Sequence, residues 1–419
     1  MILSVEFNGY RFFNDKSELS FCADARTKKL LSNSVNLDEK NVLKSVGLYG
    51  ANNSGKTNII KLFKFIKLTL SGYERIPYNN TLFNDSERVN IIITFNNNDN
   101  KGWFKYEYTY NCVKNIYEYE CLKKVTFYSG SSNYETIVFE KDNSNRVLNI
   151  YNESMLEYLS VIPSRLPLVY SVNIEEGEFS KLKDAYETLC AFGDSIEVVN
   201  MYNMPIENTL ATMKTNDENK KSFIKAFVKN ADLTIDNFEY DPNLEFSLNI
   251  DGVNERVLAN PNVINDYKFI TTYGNTTVPS IFFDSTGTKK IEAVASHIYD
   301  SIVNGKTLII DEIDNGLHYR LTRAIVALFN NIANKRGQLM FITHDLLLID
   351  CNKLMRKDQI YFVNRDMENA KLHCLKEFTA SEGGPREVND IIKHYNRGEF
   401  GNVPTPDFVS LLLGAVNKW

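Results

Sequence analysis

The stretch GANNSGKT, Gly50 to Thr57, fulfils the pattern GxxxxGK(S/T). An apolar run, Val42 to Tyr49, leads into it. Behind it Ile59, Leu62, Phe63, Ile66 and Leu70 recur at i, i+3, i+4, i+7 and i+11, the period of a half-buried helix. Strand, glycine-rich turn and helix in that order make a phosphate cradle. Glycines let backbone N–H groups wrap an anion, and the helix N-terminus adds a positive dipole. Gly50, Asn52, Asn53, Ser54, Gly55 and Asn58 are therefore candidates to surround the phosphates of a bound nucleotide with its Mg2+. Lys56 is placed to reach the β- and γ-phosphate oxygens, and the Thr57 hydroxyl to ligate Mg2+.

Three further stretches carry chemistry that a phosphate cradle needs. In KTLIIDEID, Lys306 to Asp314, a buried-strand pattern ends in Asp311 and Glu312. The first acid suits Mg2+, and the second can act as general base on an attacking water. In IFFDSTGTKKI, Ile281 to Ile291, Ser285, Gly287 and Thr288 stand at the start of an amphipathic helix with Ile291, Val294, Ala295, Ile298 and Ile302 on one face. A hydroxyl, free N–H groups and a helix dipole suit a phosphate, although an ordinary N-cap has the same composition. In QLMFITHD, Gln338 to Asp345, a strand ends in His344, one helix and one strand after the two acids. That spacing makes it a sensor for a γ-phosphate, whereas a lone strand-end histidine would be structural.

Outward from these motifs the chain divides into residues 1–150, 151–260 and 261–419. The first 48 residues read as short strands. Residues 89 to 140 show period-two runs, VNIIITF, GWFKYEYTYNC, IYEYECLKKVTFY and YETIVFE, which predict an antiparallel sheet inserted after the first helix. A mostly helical stretch is expected over 152–231 and a strand pair near 236–258. From 280 onward strand and helix alternate, as in a parallel sheet. Within 218–229, Lys221, Lys225 and Lys229 form a stripe that reads as a solvated helix face. Lys289 and Lys290 read as exposed first-turn residues. Trp103, Phe104, Tyr106, Tyr108 and Tyr110 read as cross-strand aromatics rather than a base-stacking platform.

Composition narrows the function classes. The 419 residues include 43% hydrophobic and 12% aromatic residues, enough for a core, and 47 basic against 53 acidic residues leave a net charge of −6. A protein that coats nucleic acid along its whole surface is disfavoured, while a local nucleic-acid contact stays open. None of the six cysteines stands at CxxC spacing and the five histidines do not gather near them, so neither a zinc site nor a disulfide framework is expected. The longest late apolar run, Val409 to Leu413, is far short of a membrane span. These features predict a soluble cytoplasmic protein without a membrane partner.

The four motifs in this order resemble those of ABC-type ATPases, in which the serine-glycine signature precedes the Walker B acids. More narrowly, GANNSGKTN, KAFVKNADLTIDNF at 225–238, TGTKKI, LIIDEIDNGLH, ITHD and the late YNRGEFGNVP resemble the OLD-like and RecF/SMC-related AAA family ATPases of prokaryotic anti-phage defence operons. The resemblance implies an α/β P-loop NTPase, an ABC-ATPase head with a parallel core sheet, a lateral antiparallel β-sheet and a helical insertion. It also implies a head-to-tail homodimer, with room for a higher oligomer. There Lys56, Asp311 and Glu312 of one subunit face Ser285 and Gly287 of the other, and Asp314 crosses the interface. Gly316 and Tyr319 depart from the serine and proline that the related loop usually carries. Tyr10, Phe12 and Phe13 are the candidates for stacking on the base. OLD-type enzymes add a C-terminal Toprim nuclease, for which the chain after His344 is too short. The expected partner is therefore a separately encoded effector such as a nuclease. A DNA-repair or DNA-end-binding ATPase of RecF/SMC type is the alternative.

Overall fold

In the computed structural model the strand ahead of the glycine-rich turn, Ser45–Tyr49, is buried at every residue, as are Thr307–Asp311 and Gln338–Ile342. Strands without a solvent face belong in a sheet covered on both sides. The structure describes residues 1–81, 83, 86–97, 102–128, 133–142, 165–171, 182–203, 206–232, 234–244, 267–367, 369–378, 388–401 and 408–416. Parts of the stretch expected to be helical, 152–164 and 172–181, lie outside these, as do 245–258 of the expected strand pair and the last residues of YNRGEFGNVP.

The chain opens with β1 (Ile2–Asn8), β2 (Ser17–Ser20), a ribbon of β3 (Ser34–Leu37) and β4 (Lys40–Leu43), then β5 (Ser45–Tyr49) and helix α1 (Lys56–Leu70). A meander follows: β6 (Arg88–Asn96), β7 (Trp103–Asn111), β8 (Ile116–Phe127) and β9 (Asn133–Lys141). Next come α2 (Lys183–Ser195), β10 (Ile196–Asn200), α3 (Glu207–Met213), α4 (Glu218–Ala231), β11 (Asn237–Tyr240), β12 (Phe269–Tyr273) and β13 (Thr276–Pro279). The remainder is α5 (Thr286–Asn304), β14 (Thr307–Asp311), α6 (Tyr319–Phe329), β15 (Gln338–Ile342), β16 (Ile360–Arg365), β17 (Ala370–Cys374), α7 (Val388–Asn396) and α8 (Phe408–Val416).

Strands β10, β14, β15, β5 and β16 lie side by side in that order, all parallel, and β17 closes the edge antiparallel to β16. A second, antiparallel sheet runs β2-β1-β6-β7-β8-β9. The four period-two runs thus form its meander, and the first strand of the chain joins them rather than the parallel sheet. Side chains of the parallel sheet alternate between two cores. Ile309, Met340, Ile342, Tyr361 and Val363 pack with α1 and the antiparallel sheet, while Leu308, Ile310, Leu339, Phe341, Ile360 and Phe362 pack with α5 and α6. The five apolar residues picked out in the first helix are all buried, as are Ile291, Val294, Ala295 and Ile298 of α5.

Two features go beyond these expectations. The stretch read as mostly helical contains β10, a member of the parallel sheet, because Ile196 and Val199 are buried on opposite faces in only five residues. Strand β11 pairs with β12, further along the chain than position 258. The alternating aromatics of β7 are buried, and Tyr106 and Tyr108 lie 5.2 Å apart between ring centres, so they serve the sheet and not a base.

Candidate nucleotide site

The parallel strands direct their carboxyl ends to one place, the usual position for ligands on such sheets. The turn after β5 starts at Gly50, whose φ is +149° and where a Cβ would stand 2.4 Å from Val363 O, so only glycine fits. The turn ends at Gly55, and α1 begins at Lys56 without a side-chain cap and without an acid in its first turn. Its positive end is unopposed.

Around this turn lies a cavity of about 280 Å3. It is lined by Phe12, Asn52, Asn53, Ser54, Gly55, Lys56, Thr57 and Asn58, and by Asp311, Glu312, Ile342 and His344. The P-loop, both acids and the histidine, far apart in sequence, thus share one wall. Lys56 Nζ donates to the carbonyls of Gly50 and Ala51, each at 2.7 Å. Burial lowers its pKa to about 8, against the pull of Asp311, Glu312 and Asp314. A buried ammonium held only by main-chain carbonyls, on a cavity wall, gains when an anion enters.

Asp311 Oδ2 accepts from Asn200 Nδ2 at 3.2 Å, whereas its Oδ1 is buried without a hydrogen-bond partner. Burial, then the neighbouring Glu312 carboxylate, raises the Asp311 pKa. An orphaned carboxylate oxygen on a cavity that Thr57 also lines fits a hard cation such as Mg2+. The Ser54 hydroxyl is likewise buried and unpartnered, which fits a phosphate oxygen. Glu312 holds φ at +54°, and its Oε2 accepts from Asn315 Nδ2 at 2.7 Å. The His344 imidazole faces the same cavity, and burial and the nearby Lys56 charge lower its pKa, favouring the neutral ring.

The structure separates the other site residues from these. Ser285 caps α5, its Oγ accepting from Thr288 N at 3.1 Å, so the ordinary N-cap is present. Ser285, Gly287 and Thr288 line a different cavity of about 390 Å3 with Asp232, Gly316 and His318, and no lining residue is common to the two cavities. Asp314 turns toward its own chain, where its Oδ2 accepts from His344 N at 3.3 Å. Of the base-stacking candidates, Tyr10 and Phe13 are fully buried, while Phe12 lines the P-loop cavity under the Arg365 guanidinium, 3.6 Å from the ring centre. Lys290, read as exposed, is instead 4% exposed and bonded to Asn315. Sequence reasoning passed over Asn200, Asn315 and Arg365, whose types and positions give no periodic signal.

Residues 205–350 match a family described as "AAA domain, putative AbiEii toxin, Type IV TA system", a stretch holding the signature, both acids and His344 but not the P-loop. No curated protein matches the chain. Among solved structures, an SMC head bound to the C-terminal winged-helix domain of ScpA is similar at 12% identity, covering 90% of this chain and 99% of that one, with a TM-score of 0.45. The SMC head domain of Thermotoga maritima is similar at 13% identity, covering 89% and 98%, with a TM-score of 0.42. An SMC head with an extended coiled coil, bound to the C-terminal domain of ScpA from Pyrococcus furiosus, is similar at 13% identity, covering 90% and 97%, with a TM-score of 0.43. Likeness at this distance leaves the assignment to the topology and the site themselves. A glycine-rich phosphate-binding turn after a central parallel strand, with both acids and the histidine at neighbouring strand ends on one cavity, makes this an α/β P-loop NTPase fold.

Proposed function

We propose that the protein binds and hydrolyses ATP and acts as a nucleotide-dependent dimeric switch. The observation that carries this reading is the convergence of Lys56, Thr57, Asp311, Glu312 and His344 on one cavity with two buried, unpartnered oxygens. The triphosphate enters along the P-loop, where Lys56 exchanges the Gly50 and Ala51 carbonyls for phosphate oxygens and Ser54 donates its free hydroxyl. Thr57 and Asp311 would hold Mg2+, which when bound supplies charge neutralisation between the phosphates. Glu312 orients a water in line with the γ-phosphate and accepts its proton, while neutral His344 donates to the departing charge. Ser285 and Gly287, which line a separate cavity of their own chain, serve the nucleotide of a second copy packed head to tail.

The switch reading extends to a separately encoded effector, such as a nuclease, in anti-phage defence. It is supported by the motif resemblance and by the toxin–antitoxin wording of the matching family. The test is the mass in solution of Glu312→Gln with and without Mg-ATP, beside phosphate release by wild type and Lys56→Ala. A larger species with ATP, turnover by wild type and none by Lys56→Ala are expected. Unchanged mass together with hydrolysis surviving Lys56→Ala overturns the reading. Hydrolysis stimulated by DNA in a salt-sensitive way would instead favour the RecF/SMC-type alternative.

A further inference from the structure

The start of helix α5 and the loop after β14, more than twenty residues apart in sequence, touch beside the candidate base. The first turns of α5 carry Ser285, Gly287 and Lys290, and the loop after β14 carries Glu312, Asn315 and Gly316. They approach backbone to backbone. A Cβ on Gly287 would lie 2.9 Å from Gly316 O, and one on Gly316, at φ +71°, would lie 3.1 Å from Lys290 Nζ. Lys290 enters the gap left by these glycines. Its Nζ donates to Asn315 O at 2.8 Å and to Asn315 Oδ1. That side chain in turn donates through Nδ2 to Glu312 Oε2 at 2.7 Å, and Asn315 N donates to Glu312 O at 2.9 Å.

Each link has a physical reason to be specific. An amide bonded at its oxygen by an ammonium can only present its NH2 to the carboxylate, so Lys290 fixes which way Asn315 faces. The lysine is 4% exposed, and burying a lysine without a functional partner is unfavourable. Burial lowers its pKa and the Glu312 carboxylate opposes that shift, which agrees with a charge placed to act on the acid. Glu312 holds a left-handed backbone conformation, which is strained for a non-glycine residue and persists only where its surroundings enforce it. The bonds from Asn315 to both its carbonyl and its side chain are such an enforcement.

We propose that Lys290 and Asn315 are positioning residues for Glu312, linking the phosphate-facing end of the signature helix to the base that serves the chain's own nucleotide. The inference rests on the reading of Glu312 as the base and of Ser285 and Gly287 as contacts to a second copy's nucleotide. Lys290 follows Ser285 by little more than one helical turn. Seating of the second copy's phosphate on that helix end is thereby reported, through Lys290 and Asn315, to the water-orienting carboxylate.

The test is steady-state ATP hydrolysis by the full chain as wild type, Lys56→Ala, Lys290→Met, Lys290→Arg, Asn315→Ala and the Lys290→Met/Asn315→Ala pair. Lys290→Met and Asn315→Ala are expected to lower kcat by about 10- to 100-fold with KM within about twofold, since they misplace the base without touching the nucleotide. The pair is expected to be no slower than the slower single variant, because both act through one chain of bonds. Lys290→Arg, which keeps a charged donor, is expected to recover part of the rate. A kcat within about twofold of wild type in Asn315→Ala, multiplying losses in the pair, or a raised KM at unchanged kcat overturns the proposal. If Lys290→Met does not fold, the half-buried Asn315 decides alone. Wild type without turnover, or Lys56→Ala with full turnover, sinks the ATPase reading and the relay with it. Active wild type, inactive Lys56→Ala and unaffected Asn315→Ala sink the relay only.

Discussion

Glu292, on the buried side of α5, shows how a single residue sets a pH dependence that no motif announces. It is fully buried and accepts from the Tyr267 hydroxyl, while Ser280 Oγ lies 2.7 Å from Glu292 Oε1 and 2.6 Å from Asp284 Oδ2. One serine proton cannot serve two carboxylates, and Thr271 and Tyr273 already donate to Asp284. Burial first, and then Asp284, raises the Glu292 pKa well above the usual carboxyl range. The folded chain therefore keeps a proton that the unfolded chain releases above about pH 4.5, so this group's contribution to stability falls as pH rises through that point. Glu292→Gln, which puts an NH2 donor in place of the protonated carboxyl's O–H, is expected to gain stability relative to wild type between about pH 5.5 and pH 8. Denaturant midpoints at the two pH values check it, and an unchanged difference would refute the shared proton.

At the scale of elements, one amide bonds to both sheets. Gln338, the first residue of β15, donates through Nε2 to Ile2 O at 2.9 Å and Leu43 O at 3.1 Å. Its Oε1 accepts from Ile2 N at 2.8 Å and from Thr307 Oγ1 at 3.1 Å. These buried partners from β1, β4 and β14 would be left unsatisfied by Gln338→Leu, although the shape is nearly retained. A loss of about 2–4 kcal/mol is expected by urea titration. A loss under about 0.5 kcal/mol would mean that this amide contributes little to holding the sheets together. Elements also mark where sequence reading stops. Helices α1 and α5 were legible because a 3.6-residue period sustained over several turns suits a half-buried helix and no strand, and β14 and β15 because unbroken apolar runs imply burial on both faces. Strand β10 was not, since IEVVN is short and continues a helical stretch without a break, and only its pairing with β14 makes it a strand.

Over the whole molecule, the P-loop cavity and the signature cavity are built by separate walls of one chain. If the second copy supplies the missing signature, then damage there should spare binding and remove association. Ser285→Arg, placed in the Glu312→Gln background, is expected to bind a fluorescent ATP analogue within about threefold of its parent and to lose the ATP-driven increase in mass. Retained association would show that the signature cavity does not face a second nucleotide. Among the described residues no helix is long and apolar enough to cross a membrane.

The glycine-rich turn, the two acids, the histidine and the strands and helices that carry them were legible in the amino-acid sequence alone. Each of these depends on local spacing, which a chain displays before it folds. Only the tertiary structure decided that β5 lies between β15 and β16, that Asp311 keeps one oxygen unpartnered, and that Lys290 is buried against Asn315. Those outcomes depend on which distant segments become neighbours and on which polar atoms water can no longer reach, quantities that no local pattern encodes.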